Sequence, residues 1–222
     1  MEKSVRTVTA LKAQKNNPQR INVFLDGQFA FGLSRLVAAW LQVGQTLTEE
    51  RLAQLLQEDR LESLYQRALR YLSFRPRSEK EMRLYLLRHE QDERVRELVL
   101  ERLKANGWLD DQRFAAQWVE NRVAFRPRGK KALALELKQR GIQATDIDQA
   151  VQELDEEELA YQAAQKVLGR YKNLDQNTFR RKLYDLLVRR GFSYEVVLPT
   201  IHRCWQENRQ NTGIEQEDIQ NG

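Results

Sequence analysis

Apolar and polar positions alternate with a period of two near the N-terminus and with a helical period afterwards. Arg6-Thr7-Val8-Thr9-Ala10-Leu11 favours a strand, and Asn16-Asn17-Pro18-Gln19 reads as a turn. Ile21, Val23 and Leu25 then alternate with Asn22 and Phe24. Asp26-Gly27 is a hairpin signal, and Phe29, Phe31 and Leu33 resume the alternation. The pattern predicts a small antiparallel sheet of about three strands. Such a sheet is marginal alone and is expected to lean on a helix, Ser34 to Leu41 with its Trp40.

From Thr48 onward the spacing is helical. Thr48 suits a cap for a helix with Leu52, Leu55 and Leu56 on one face, and Asp59 reads as a break. A second run carries Leu61, Tyr65, Ala68, Leu69 and Leu72 at i, i+4, i+7, i+8 and i+11. Gly107, Gly141 and Gly191 each follow a helical run and suit the left-handed C-terminal position.

The chain repeats itself. Phe74-Arg75-Pro76-Arg77 returns 51 residues later as Phe125-Arg126-Pro127-Arg128, and Leu84 and Leu86 recur as Leu135 and Leu137 at the same offset. Leu133, Leu137 and Arg140-Gly141-Ile142 recur 50 residues on as Leu183, Leu187 and Arg190-Gly191-Phe192. In this third copy Gly169-Arg170-Tyr171-Lys172 replaces the proline motif, keeping its basic and aromatic character. Each unit reads as three helices. In the first, Ser78-Glu79-Lys80-Glu81 forms a capping box and the last helix carries Val95, Leu98, Val99 and Leu103. Thr145 is expected to start the last helix of the second unit and Ser193 that of the third, where Pro199 predicts a kink or a late start.

The expected fold is therefore mainly α, with tandem three-helix repeats stacked in an elongated array behind a small antiparallel β segment. Its divisions are a β-rich segment with a short helix at 1–47, repeats at 48–111, 112–158 and 159–209, and a disordered tail at 210–222.

Composition narrows the function. Charged residues make up 31% and hydrophobic ones 41% of the 222 positions, as in soluble globular proteins. No apolar run approaches the roughly 18 to 20 residues needed to cross a bilayer, so no membrane association is expected. The N-terminus shows no secretory signal, and a single cysteine, Cys204, fits a reducing cytoplasm. The net charge is only +5, but it is sorted along the chain: residues 65–88 sum to +5, residues 113–140 to +6, residues 144–158 to −7, and residues 160–209 to +6. Stacked units would align their basic parts into one surface suited to a polyanion or an acidic protein stripe.

Catalysis finds little support. His89 and His202 lack partners at metal spacing, and Cys204 lies two residues from His202, off its helical face. Asp155 to Glu158 fan outward as a solvated helix start, and no phosphate loop or hydrolase elbow is present. Trp40, Trp108, Trp118 and Trp205 read mostly as core. No cofactor and no metal are expected. The proline loops carry two readings: their arginines can bind carboxylates or phosphates, or the loops can be structural, with Phe74 and Phe125 plugging the bundle.

Tyr71-Leu72-Ser73-Phe74-Arg75-Pro76-Arg77-Ser78-Glu79-Lys80-Glu81, Gly107-Trp108-Leu109-Asp110-Asp111 with Phe114-Ala115, and Phe125-Arg126-Pro127-Arg128-Gly129 resemble the RecX family over roughly residues 50–207. The resemblance implies a bacterial cytoplasmic protein that binds the RecA recombinase and lies in the groove of its nucleoprotein filament. It implies suppression of ATPase and strand exchange without catalysis. The third unit departs from the pattern by lacking Phe-Arg-Pro-Arg. The residues expected to contact RecA or DNA phosphates are Arg75, Arg77, Arg126, Arg128, Lys130 and Lys131, then Arg180, Arg181 and Lys182. Charge reversal at Arg126 and Arg128 together is expected to weaken inhibition without changing the melt. The protein is expected to be a monomer. The alternatives are a stand-alone DNA-binding protein and a scaffold for another acidic protein.

Overall fold

A computed structural model describes residues 5–220, with side chains through residue 210. The chain divides into two compact units, Met1–Leu109 and Asp110–Gly222.

The first unit opens with β1 (Val5–Gln14), β2 (Asn17–Leu25) and β3 (Gln28–Ser34), then α1 (Arg35–Ala38) and β4 (Thr46–Thr48). The sheet order is β3-β2-β1-β4, with every pairing antiparallel. Thus the sheet has four strands where the alternation suggested three, because β4 is too short to show a period. Asp26 (φ 49°) and Gly27 (φ 84°) turn the β2–β3 hairpin, as that dipeptide demands. Helix α1 is a single turn, and Trp40 is 81% exposed rather than supporting the sheet.

The sheet does lean on the 34–41 segment through Val37, Ala38 and Leu41, which enter its core, and also on α2 (Glu49–Phe74), capped by Thr48 Oγ1 accepting from Arg51 N–H. Leu55 of α2 closes a core with Val8, Val23, Leu33 and Leu47. Asp59 does not break the helix. It is buried and accepts hydrogen bonds from Ser34 N–H and from the Arg20 guanidinium at 2.9 Å, tying α2 to the sheet. Farther along, Leu64, Tyr65 and Ala68 of the same helix enter a second core with Met82 and Leu86 of α3 (Glu79–Leu87) and Val95, Val99 and Leu103 of α4 (Glu93–Ala105). One helix thus serves both the sheet and the first repeat. The capping box is present: Ser78 Oγ accepts from Glu81 N–H, and the Glu81 carboxylate accepts from Ser78 N–H.

The second unit holds two repeats: α5 (Asp111–Phe125), α6 (Lys130–Gln139) and α7 (Ala144–Val151), then α8 (Glu156–Leu168), α9 (Gln176–Arg189) and α10 (Tyr194–Gln220). Phe114, Val119, Leu133, Leu137, Ile147 and Val151 form the core of the former, and Leu159, Phe179, Leu183, Leu187 and Val197 that of the latter. Gly141 (φ 85°) ends α6: Ile142 N–H donates to Leu137 O and Gly141 N–H to Lys138 O, a Schellman closure. Gly107 and Gly191 close α4 and α9 with the same pattern.

Several local expectations shift. Helix α7 starts at Ala144, one residue before Thr145, with no side-chain cap. Helix α10 starts directly after Ser193 despite Pro199, and Thr200 Oγ1 donates to Val196 O at 2.8 Å. Of the repeated leucines, Leu86 and Leu137 are fully buried, whereas Leu84 and Leu135 are exposed. Where a disordered tail is expected at 210–222, the backbone through Gln220 is helical as the end of α10, and residues 221–222 lie outside the described residues. Among the described residues, no helix is long and apolar enough to cross a membrane.

Candidate functional site

The two proline loops join the first and second helices of their repeats, and both begin with an exposed phenylalanine. Phe74 is 83% and Phe125 is 76% exposed, so neither plugs its bundle. The arginines that follow have different surroundings.

In the first unit, Arg75 makes two 3.0 Å bonds to the Glu81 carboxylate and a third to Pro76 O. The hydrogen bonds to Glu81 raise its pKa further above the usual arginine value. Since Glu81 also closes the capping box, Arg75 completes a local brace. Arg77 lies 3.9 Å over the Tyr71 ring, which stacks on Tyr85 at 4.1 Å.

In the second unit, Arg128 occupies the position of Arg77, 51 residues on, and Arg122 and Glu136 replace Tyr71 and Tyr85. The aromatic stack becomes an ionic one. Glu136 accepts from Arg128 at 2.8 Å, from Arg122 Nε at 2.8 Å and from Trp118 Nε1 at 2.9 Å. Arg122 and Arg140 also lie over the Trp118 ring, at 4.3 and 3.7 Å. Both repeats therefore pin the second loop arginine between helices one and two, by different chemistry. The Nε atoms of Arg77 and Arg128 are buried and without a hydrogen-bond partner.

Arg126 is exposed, and among the described residues it forms no ion pair. Beside it sits Arg190 of the following repeat. Its guanidinium donates to Pro127 O at 3.4 Å, and its own carbonyl accepts from Gly129 N–H at 3.0 Å. Burial and the nearby charges of Arg126 and Arg128 lower the Arg190 pKa below the ordinary arginine value. This corner thus gathers three guanidiniums, of which Glu136 neutralises only Arg128. Arg190 was not a sequence candidate. Its signal in the sequence is the recurrence of Arg-Gly before an apolar residue at 140–142 and 190–192, which marks the repeat and its helix stop but no contact with a neighbouring loop.

The remaining candidates separate. Lys130 donates its backbone N–H to Glu156 at 2.8 Å and its ammonium to Gln152 O at 3.0 Å, so it joins repeats. Lys131, Arg180 and Arg181 are exposed and unpaired among the described residues. Lys182 lies 5.8 Å over Tyr171. Tyr171 turns inward against Phe179, unlike Phe74 and Phe125, so the third repeat's basic-aromatic segment is not a copy of the proline loop. Arg75 and Arg77 belong to the first unit and the other seven candidates to the second.

The acidic run is partly structural. Asp155 caps α8 through Glu157 and Glu158 N–H, and Glu156 supplies the cap that Gly129 cannot provide for α6. Cys204 is fully buried, and burial pushes its thiol pKa up to about 12. His202 pairs with Gln206 at 2.8 Å. Trp40 and Trp108 are exposed, against the expectation of core positions, while Trp118 and Trp205 pack. No cluster among the described residues is arranged to hold a metal ion.

Comparison with known proteins matches the chain in four stretches. Residues 6–48 match the description "Regulatory protein RecX N-terminal domain", and residues 65–103, 110–151 and 155–199 match the first, second and third three-helix domains of RecX. A relative from Bacillus licheniformis named "Regulatory protein RecX" is 33% identical, covering 96% of this chain and 82% of its own. The protein of that name from Bacillus subtilis is 30% identical, covering 92% and 80%. A solved structure titled "Crystal structure of regulatory protein RecX" superposes with a TM-score of 0.69 at 30% identity, covering 86% of this chain and 96% of that one.

Proposed function

The chain belongs to the RecX family, and on that premise we propose that it is a non-enzymatic negative regulator that binds the RecA filament and suppresses its ATPase and strand exchange. The observation that carries this reading is the corner formed by Phe125, Arg126 and Arg190. An exposed aromatic ring and an unpaired guanidinium project from a backbone locked by Pro127 and the Gly129–Arg190 hydrogen bond. A locked backbone spares the loop the cost of ordering on binding a carboxylate or phosphate, so that only the Arg126 side chain itself must be ordered. Regulation of this kind needs recognition and steric occupation, and no bond is made or broken.

The structure changes the choice of variant. Reversal at Arg128 would place a glutamate against Glu136 and damage the fold, so the expectation of an unaltered melt does not extend to it. Arg126→Glu combined with Lys131→Glu removes two unpaired cations and no internal contact. The test is the RecA ATPase on single-stranded DNA with substoichiometric protein. Wild type is expected to inhibit, and the double variant to require at least about tenfold more protein, the loss of roughly one charge-assisted contact. Equal potency of the two proteins would refute the reading.

The same unpaired arginines favour a second reading, direct DNA binding. Anisotropy on bare DNA across a salt series separates them: tight, selective, steeply salt-dependent binding without RecA supports the second.

A further inference from the structure

Regulation through the arginine corner leaves part of the acidic run unused. Asp155 and Glu156 are caps, but Asp146 and Glu153 on and just after α7 line an open trough with Glu120 of α5, about 460 Å³ in volume. That lies within the ~300–1,000 Å³ range of binding clefts. Its floor is apolar: Ala116, Val119, Ala150 and Leu154. Among the described residues, no ion pair or side-chain hydrogen bond engages the three carboxylates. At one end Gln112 Nε2 donates to Gln149 Oε1 at 3.0 Å, bridging α5 and α7.

The opening has a sequence cause. Ala116 corresponds to Tyr65, 51 residues earlier. In the first repeat that tyrosine is 6% exposed, lies under the Arg102 guanidinium at 3.9 Å and accepts from Asn106. The first repeat therefore fills with an aromatic ring, capped by a cation, the place that the second leaves to a methyl group.

We propose that the α5–α7 trough docks a basic amphipathic helix of a protein partner. Ala116 and Ala150 let a helix approach closely with its apolar ridge seated against Val119 and Leu154, and lysine or arginine stems along its edges carry their charges to Glu120, Asp146 and Glu153. Three uncompensated carboxylates repel nucleic acid, so this surface differs in ligand class from the arginine corner. A second copy of the chain is a poor occupant. Its cationic helices α6 and α9 turn their main apolar ridge inward, with Leu133, Leu137, Leu183 and Leu187 fully inside their own bundles and only Leu135, Tyr184 and Val188 left outside.

The test uses the full chain and a fluorescein-labelled Leu/Lys amphipathic peptide of about 14 residues, long enough to form a helix on docking. A scrambled peptide of the same composition is the control, with binding read by anisotropy at physiological ionic strength. Ala116→Tyr installs the first repeat's residue and fills the trough without changing charge. Glu120→Gln with Asp146→Asn and Glu153→Gln removes the charge without filling it. The amphipathic peptide is expected to bind at least about tenfold tighter than the scrambled one, and each variant to abolish that preference. Equal binding of the two peptides, or variants that bind like wild type, overturns the proposal. So does a dimer in sedimentation velocity that Ala116→Tyr dissociates, since a second copy would then be the occupant. Should Ala116→Tyr melt early, the charge variant, which touches no core residue, decides alone.

Discussion

Gly129 and Gly191 meet backbone to backbone, and this contact joins the second repeat to the third. A Cβ on Gly129 would lie 2.2 Å from Gly191 O, and one on Gly191 would lie 2.4 Å from the Cβ of Ala132. The same approach brings Gly129 N–H to Arg190 O and Arg190 to Pro127 O, which is how Arg190 reaches the loop arginines.

Gly129→Ala is therefore expected to destabilise the second unit by about 1–3 kcal/mol, the cost of overpacking. Gly191→Ala should cost more, because its φ of +81° is left-handed and adds roughly 1–2 kcal/mol for a Cβ. Urea denaturation measures both. Midpoints equal to wild type would show that the repeats are not held by this contact.

Among the described residues Glu136 is the single side-chain acceptor for Arg122, Arg128 and Trp118, so Glu136→Leu leaves three donors seeking partners. A loss of about 2 kcal/mol or more is expected in urea denaturation. Arg126→Glu, on an exposed and unpaired side chain, should stay within about 0.5 kcal/mol of wild type. A reversed order of the two would mean that the ionic brace does not support the loop.

Acid should expose the Arg60–Glu90 pair. Glu90 is buried, and hydrogen bonds from the Arg60 guanidinium hold its carboxyl below the ordinary carboxylate range, outweighing the effect of burial. A depressed folded pKa contributes stability above the unfolded value of about 4.3 and loses it as pH falls through the folded value. Arg60→Leu should therefore lower the melting temperature most above about pH 5, with the gap to wild type narrowing in stronger acid. A gap independent of pH would count against the pair.

Cys204 should be chemically silent in the native protein. With its thiol fully buried and its pKa at about 12, thiolate is scarce at neutral pH. Ellman's reagent is expected to titrate the thiol only after denaturant is added. Rapid native labelling would show that the α8–α9–α10 core opens.

The features legible in the sequence were those encoded over a few neighbouring residues. The Ser78 capping box and the helix ends at Gly107, Gly141 and Gly191 are satisfied by partners within about one turn, and the Asp26-Gly27 turn is set by the positive φ of both its residues. The loop arginines were legible as residues but not as ion pairs. Arg75 and Arg126 occupy the same repeat position, yet only Arg75 has a carboxylate within reach, because Glu81 has no counterpart there but Ala132. Of the two readings of the proline loops, the one that puts Phe74 and Phe125 in the bundle fails, because exposure depends on where the helix axis points.

By itself the sequence determined the period, the repeat and the family, since local hydrogen bonding and hydrophobic spacing act along the chain. Tertiary structure alone decided that Asp59 anchors α2 to the sheet, that Arg190 joins Arg126, and that Ala116 opens a trough where Tyr65 closes one. Each depends on distance through space, which folding sets by packing residues that are 25 to 64 positions apart.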